Sequence, residues 1–205
     1  MGKHIRGYIS EFLELKCAGD VLNIVSPVSK LEKEISESMA IIHHLKHILV
    51  ASRVDYGLLD LCAGNALTSI IAAYLLPVTS VVAVDKERRS REYERVKKFS
   101  YLERDVRDLP SLPKETIIIS SHPCKTASVI VDIWNSSEFP ALIMIPCCQG
   151  KLTAPAKEWL TKKMIRYDVW TYSLAEKIKN ANVKIFTDTS ILSPCNNVIV
   201  ARRDK

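Results

Sequence analysis

The sequence predicts an α/β domain: a seven-stranded, mostly parallel sheet that ends in an antiparallel hairpin, with a helical extension ahead of it. Three observations carry this expectation. Short apolar runs at 57–62, 80–84, 99–103, 116–120, 140–146, 183–187 and 197–202 alternate with helical stretches, the pattern of parallel strands joined by crossover helices. The last two runs are separated only by a hairpin-length connection that includes Ser193, Pro194, Cys195, Asn196 and Asn197, so the final strand is antiparallel. The first 55 residues lack this alternation.

The elements follow in order. Residues 5–16 read as a short helix with Ile5, Ile9, Phe12 and Leu13 on one side. Residues 20–25 are short and apolar and suit an edge strand or an irregular turn. Ser29 and Glu32 form a capping-box pattern, after which Leu31, Ile35, Met39, Ile42, Leu45 and Leu49 recur at helical spacing to about Ala51. Between the strands, helices are expected at 66–76, 88–98 and 125–136, with one or two between 155 and 180. No repeat, low-complexity tract or linker interrupts the chain. The division expected is a helical extension over 1–55 packed on a domain over 56–205.

The chain has 205 residues, 47% hydrophobic and 25% charged, which suits one compact core. No apolar run approaches the roughly 20 residues that span a bilayer. The N-terminal segment alternates charged and apolar residues and lacks the apolar core of a secretory signal. A cytoplasmic protein with no membrane partner is therefore expected, its six cysteines being thiols rather than disulfides. A net charge of +6 favours a polyanionic partner such as RNA. The sequence leaves the oligomeric state open.

The first strand runs into Asp60-Leu61-Cys62-Ala63-Gly64-Asn65-Ala66, and a helix begins at once. Small residues in such a turn let the backbone approach a ligand, and the helix start offers unbonded N–H groups. Asp85 ends the second strand, where a carboxylate can accept both hydroxyls of a ribose. Asp105 ends the third strand and can meet an adenine amino group. A dinucleotide is disfavoured, because there is no G-x-G-x-x-G and the chain ends in the hairpin.

Asp60-Leu-Cys-Ala-Gly followed by Val84-Asp85 resembles motif I and the acidic loop of class I S-adenosylmethionine-dependent methyltransferases, whose Rossmann-like sheet has seven strands and a terminal antiparallel hairpin. Three further segments narrow the resemblance. Ser26-Pro-Val-Ser-Lys-Leu-Glu-Lys-Glu-Ile35 is similar to the Ser-Pro-Lys-Lys-x-His-Glu-Val helix start of one methyltransferase-domain family. Ser121-His122-Pro123-Cys124 resembles that family's His-x-Cys-Gly after strand four, and Pro146-Cys147-Cys148-Gln149-Gly150-Lys151-Leu152-Thr153 its Cys-Cys-Tyr-x-Lys-Leu after strand five. The family includes tRNA acceptor-stem 2′-O-methyltransferases and methyltransferase-like proteins of uncertain substrate. The resemblance spans roughly 26–153; Lys125 replaces a glycine, and Gln149-Gly150 replaces an aromatic-led pair. It implies S-adenosylmethionine as cofactor, held by Asp60, Cys62, Ala63, Gly64, Asn65, Asp85, Lys86, Asp105, Val106 and Ser120.

The catalytic candidates are His122, Cys124, Cys147 and Cys148. Cys124, Cys147, Cys148 and Cys195 fall at strand ends on one rim of the predicted sheet. They are packing residues of tight turns, a nucleophile for carbon 6 of cytosine, or thiolate ligands for zinc, although no Cys-x-x-Cys spacing supports a metal. His122 is a base near the transferred methyl or a polar turn residue. His43 and His47 share a helix face, but without a His-Glu-x-x-His pattern no metal is assigned. The basic run at 86–98 is interleaved with Glu87, Glu92 and Glu94 and reads as a solvated face. Lys151, Lys157, Lys162 and Lys163, with Arg166 and the neighbouring aromatics, are the residues expected to grip RNA. The function expected is RNA methylation, tRNA foremost, on ribose or base, with room for a partner protein that adds RNA affinity. The alternatives are cytosine-5 methylation through a cysteine, methylation of a protein or small molecule, and a non-catalytic cofactor-binding scaffold.

Overall fold

A computed structural model describes residues 7–147 and 166–203. Three helices lead: α1 (Tyr8–Leu13), α2 (Ala18–Val25) and α3 (Leu31–Val50). Then come β1 (Gly57–Leu61), α4 (Leu67–Leu75), β2 (Val81–Asp85), β3 (Phe99–Glu103), β4 (Thr116–Ser121), α5 (Ala127–Asn135) and β5 (Ala141–Ile145). After them lie α6 (Arg166–Ala175), β6 (Asn182–Thr187) and β7 (Asn197–Arg202). The sheet has seven strands in the order β3-β2-β1-β4-β5-β7-β6. β1 pairs in parallel with β2 and β4, whereas β7 runs antiparallel between β5 and β6, as the short last connection requires.

The central strands are apolar on both faces because helices cover both. Leu58, Leu59 and Leu61 of β1, Ile117, Ile118 and Ile119 of β4, and all of β5 are buried. On one face α1 to α4 close a core with Phe12, Ile41, Ile42, Leu45 and Ile70. On the other, α5 and α6 contribute Ile130, Trp134, Val169 and Trp170. Edge strand β6 exposes Lys184 and Phe186, and a charge on an edge strand discourages further strand pairing. Among the described residues no helix is long and apolar enough to cross a membrane.

Four local expectations are corrected. Residues 20–25 belong to helix α2, not to a strand or turn: Ala18, Val21, Ile24 and Val25 are its buried stripe, and that period shows only when residues 18 and 19 join the window. In α1 the buried residues are Tyr8 and Phe12, while Leu13 is 61% exposed; Ile5 lies outside the described residues. The capping box does not form, because Lys30 is the N-cap, in a left-handed conformation at φ 61°, and Ser29 stands one residue too early. Residues 88–98 hold only a 3-10 turn over Tyr93–Arg95. Tyr93 and Val96 are the only buried residues there, too few for a helical stripe, and the remaining charges solvate an irregular segment.

Candidate functional site

The turn from β1 to α4 is wound tightly. Cys62, Gly64 and Ala66 all adopt left-handed conformations, at φ 61°, 55° and 60°. Two of the three are not glycine, and each left-handed L-residue costs about 1–2 kcal/mol, so the surroundings must hold the turn. They do so from several sides. The Tyr101 hydroxyl donates to the Gly64 carbonyl at 2.7 Å, and Tyr93, stacked on Tyr101 at 5.0 Å, donates to the Asn65 carbonyl at 3.4 Å. Asn65 Oδ1 accepts from the Leu67 N–H at the start of α4, while its amide donates to Glu34 of α3 at 2.6 Å. The Gly64 N–H donates to Asp85 Oδ2 at 3.0 Å. A Cβ added at Gly64 would meet no protein atom within 4 Å; the space beside it is open cleft.

That cleft has a volume of about 1390 Å³ and lies along the carboxyl ends of β1, β2 and β4, where open α/β sheets bind ligands. Of the residues expected to hold the cofactor, Cys62, Ala63, Gly64, Asn65, Asp85, Lys86, Asp105 and Val106 line it. Asp60 and Ser120 do not. Asp60 is 3% exposed and accepts from Ser69 of α4 at 2.6 Å, and Ser120 donates to the Leu61 carbonyl, so both brace the strand ends from beneath. Burial lifts the Asp60 carboxyl to about 7, against the Ser69 hydrogen bond and with a contribution from the Asp85 charge. Burial likewise pushes the Cys62 thiol up to about 11, with its Sγ 3.5 Å from Thr126 Oγ1. Asp105 caps the next turn, accepting from the Arg107 N–H and pairing with its guanidinium at 2.9 Å.

His122 follows β4 in a left-handed conformation at φ 55°, its N–H donating to the Ile145 carbonyl. Its imidazole meets two residues that sequence reasoning did not single out. Nε2 lies 2.5 Å from Oε1 of Glu37, and Lys33 Nζ stands 2.8 Å from the same oxygen. Glu37 is 1% exposed, so its charge is taken out of water inside this cluster. Burial pushes the Glu37 carboxyl up, but the contacts of His122 and Lys33 outweigh it and hold the group below its usual range. Nε2 thus faces both the Glu37 carboxylate and, at 3.1 Å, the Lys33 ammonium, so one edge of the ring sits in an ion-pair cluster. Lys33 and Glu37 are four residues apart on α3 and so share the face turned to the cleft. The family-like segment at 26–35 marked this helix, but only the fold brings it to His122, 89 residues away from Lys33.

The cysteines gather as their strand-end positions suggest. Cys124 Sγ is 3.3 Å from Cys147 Sγ, and Cys195 Sγ is 3.3 Å from the Cys147 carbonyl oxygen. Cys124 lines the cleft beside His122, whereas Cys147 lies behind it. Cys148, Lys151, Lys157, Lys162 and Lys163 lie outside the described residues. Cations that the sequence assigned to a solvated face do reach the cleft: Lys86, Arg89 and Arg91 line it together with Lys125.

Residues 30–155 match a methyltransferase-domain family. No curated protein matches the chain by sequence. Among solved structures, the chain resembles the ribosomal protein L11 methylase from Lactobacillus delbrueckii subsp. bulgaricus, with a TM-score of 0.55, 12% identity, and coverage of 82% of this chain and 79% of that one. It also resembles the 23S rRNA methyltransferase ErmE, with a TM-score of 0.53, 12% identity, and 79% and 68% coverage. The plantazolicin methyltransferase BpumL, in a complex with SAH, gives a TM-score of 0.52 at 9% identity, with 97% and 95% coverage. At these identities the neighbours speak for the fold alone. The family match covers more than half of the chain and contains the glycine turn, Asp85 and His122, so the chain belongs to the methyltransferase-domain family, enzymes of class I architecture that use S-adenosylmethionine.

Proposed function

We propose that this enzyme methylates RNA, tRNA foremost, at a ribose hydroxyl or a base, and that it does so in the cytoplasm. The observation that carries the reading is a set of cations in the cleft lining, beside the acids Glu34, Glu37, Asp85 and Asp105 that serve the turn, His122 and the cofactor. Bound S-adenosylmethionine supplies an electrophilic methyl group on a positively charged sulfur, and its single carboxylate accounts for no more than one or two of the cations along the rim. Lys86, Arg89, Arg91 and Lys125 nevertheless line it, and a phosphate backbone is the partner that such a rim attracts. Of the chain's own groups, Asp85 would hold the ribose hydroxyls and the Gly64 turn would admit the cofactor backbone-close. Asp105 would meet the adenine.

His122, which lines the cleft, then takes the acceptor's proton, while the Glu37 carboxylate beside Nε2 steadies the charge that develops on the ring. Lys33 balances Glu37, so the buried carboxylate stays ionised to do this. Methyl transfer to oxygen or nitrogen needs alignment and removal of a proton; it needs no protein nucleophile. On this reading Cys124 and Cys147 shape the cleft wall. The test is incubation of the full chain with methyl-labelled cofactor and total cellular RNA, followed by digestion and nucleoside analysis. The expected result is label in one modified nucleoside of the tRNA fraction. Label confined to protein, with none in RNA, would replace RNA by a protein substrate.

A further inference from the structure

A second cavity, of about 840 Å³, lies apart from the cofactor cleft, between the later turns of α3 and the β6–β7 edge. It shares no lining residue with the cleft. His43, His44 and His47 of α3 line it, facing Phe186 and Asp188 across the groove. The three histidines differ in environment. His44 is half-buried, with its ring 4.9 Å from that of Phe186. His43 and His47 are exposed, and their Nε2 atoms converge to 3.2 Å.

That separation suits a shared ion. With Zn–N bonds of about 2.0–2.1 Å, two nitrogens this far apart subtend an angle of about 100° at a shared ion, close to the tetrahedral value. Positions i and i+4 on a helix lie one turn apart, so the scaffold holds both rings on one face without cost to the backbone. We infer that His43 and His47 form a two-histidine chelate for a divalent transition ion of the zinc class. Its remaining coordination positions open onto the groove and are taken by water or an incoming ligand. Among the described residues no third histidine, cysteine or carboxylate completes a closed set. Asp188, an acid lining the same groove, is oriented by other partners: Oδ2 accepts from the Tyr8 hydroxyl at 2.6 Å and Oδ1 from the Ser190 N–H at 2.9 Å. The site is therefore an exchangeable one rather than a structural zinc knot. Neutral imidazoles select zinc, nickel or copper and reject magnesium and calcium, which require oxygen ligands.

The competing arrangement is a plain hydrogen bond, with one ring donating its Nε2–H to the other. Histidine-ring nitrogen NMR on the full chain separates the two. Zinc is added to one equivalent, with magnesium as the control. The thiols also attract zinc, so each histidine is assigned by its own variant, His43→Asn or His47→Asn. The expected result is a zinc-dependent shift of Nε2 in both rings, saturating near one equivalent and absent with magnesium. Loss of an outer-shell partner alone lowers metal affinity by 10–100-fold, so either Asn variant should weaken the remaining ring's response at least about tenfold. Both residues are exposed, so the variants are expected to fold. Rings unmoved by excess zinc, or a response in one ring that persists unweakened when the other is replaced, would overturn the chelate and leave the hydrogen bond.

Discussion

At the scale of single residues, two buried carboxylates behave in opposite ways. Asp60 is lifted to about 7 by burial, opposed by Ser69 and reinforced by Asp85. Its folded pKa lies above the unfolded value, so the folded state retains the proton longer. The stability it contributes is complete below about pH 4 and is lost as the pH rises through about 7. Asp60→Asn keeps an acceptor for Ser69 and removes the titration; denaturant unfolding of this variant should show a flatter dependence between those limits. A profile parallel to wild type would mean that Asp60 is ionised throughout. Glu37 runs the other way. Burial raises its carboxyl, but His122 and Lys33 outweigh burial, so its contribution is present above the unfolded pKa and is lost in acid. The paired thiols offer a sharper chemical test. Cys124→Ser and Cys147→Ser should each keep measurable methyl transfer, because serine preserves the wall, and the wild-type chain should form no covalent complex with RNA containing 5-fluorocytosine. A trapped complex that disappears in one variant would establish cytosine-5 chemistry instead.

At the scale of elements, the sheet was legible because its signals are local. Apolar runs such as Ile117–Ile119 and a short link before Asn197 are read within a few residues. Helix α2 was not, since its stripe spans only Ala18 to Val25 and a narrower window shows a featureless apolar run. The segment 88–98 misled in the opposite direction: alternating charges mimic a helix surface, yet without an apolar stripe nothing packs it down. Its backbone hydrogen bonds are short turns at Tyr93, Arg95 and Val96. Hydrogen exchange should therefore find the amides of Arg89 to Glu92 near intrinsic rates, while those of Ile70 to Ala72 in buried α4 remain protected. Strong protection across 88–92 would restore the helix. The site divided the same way. Gly64 and Asp85 were visible as a turn and a strand end, whereas Lys33 and Glu37 act only because folding lays α3 against the loop after β4.

At the scale of the molecule, α3 links the two cavities, presenting Lys33, Glu34 and Glu37 to the cofactor cleft and His43 and His47 to the second groove. The cationic rim gives the RNA reading a measurable salt dependence. Replacing exposed Lys86, Arg89 and Lys125 by glutamine should flatten the salt slope of RNA binding by about 0.7–0.9 for each phosphate no longer neutralised. An unchanged slope would place the RNA surface elsewhere on the chain. Methyl transfer depends first on the cleft between the Gly64 turn and Asp85, and calorimetric titration of wild type and Asp85→Ala with S-adenosylmethionine tests that cleft most directly. Hydrogen bonds to a charged group contribute about 1.5–3 kcal/mol, so one-to-one binding by the wild type and at least a roughly tenfold loss in the folded variant are predicted. Equal affinity in the two proteins would contradict the assignment of this cleft as the cofactor site.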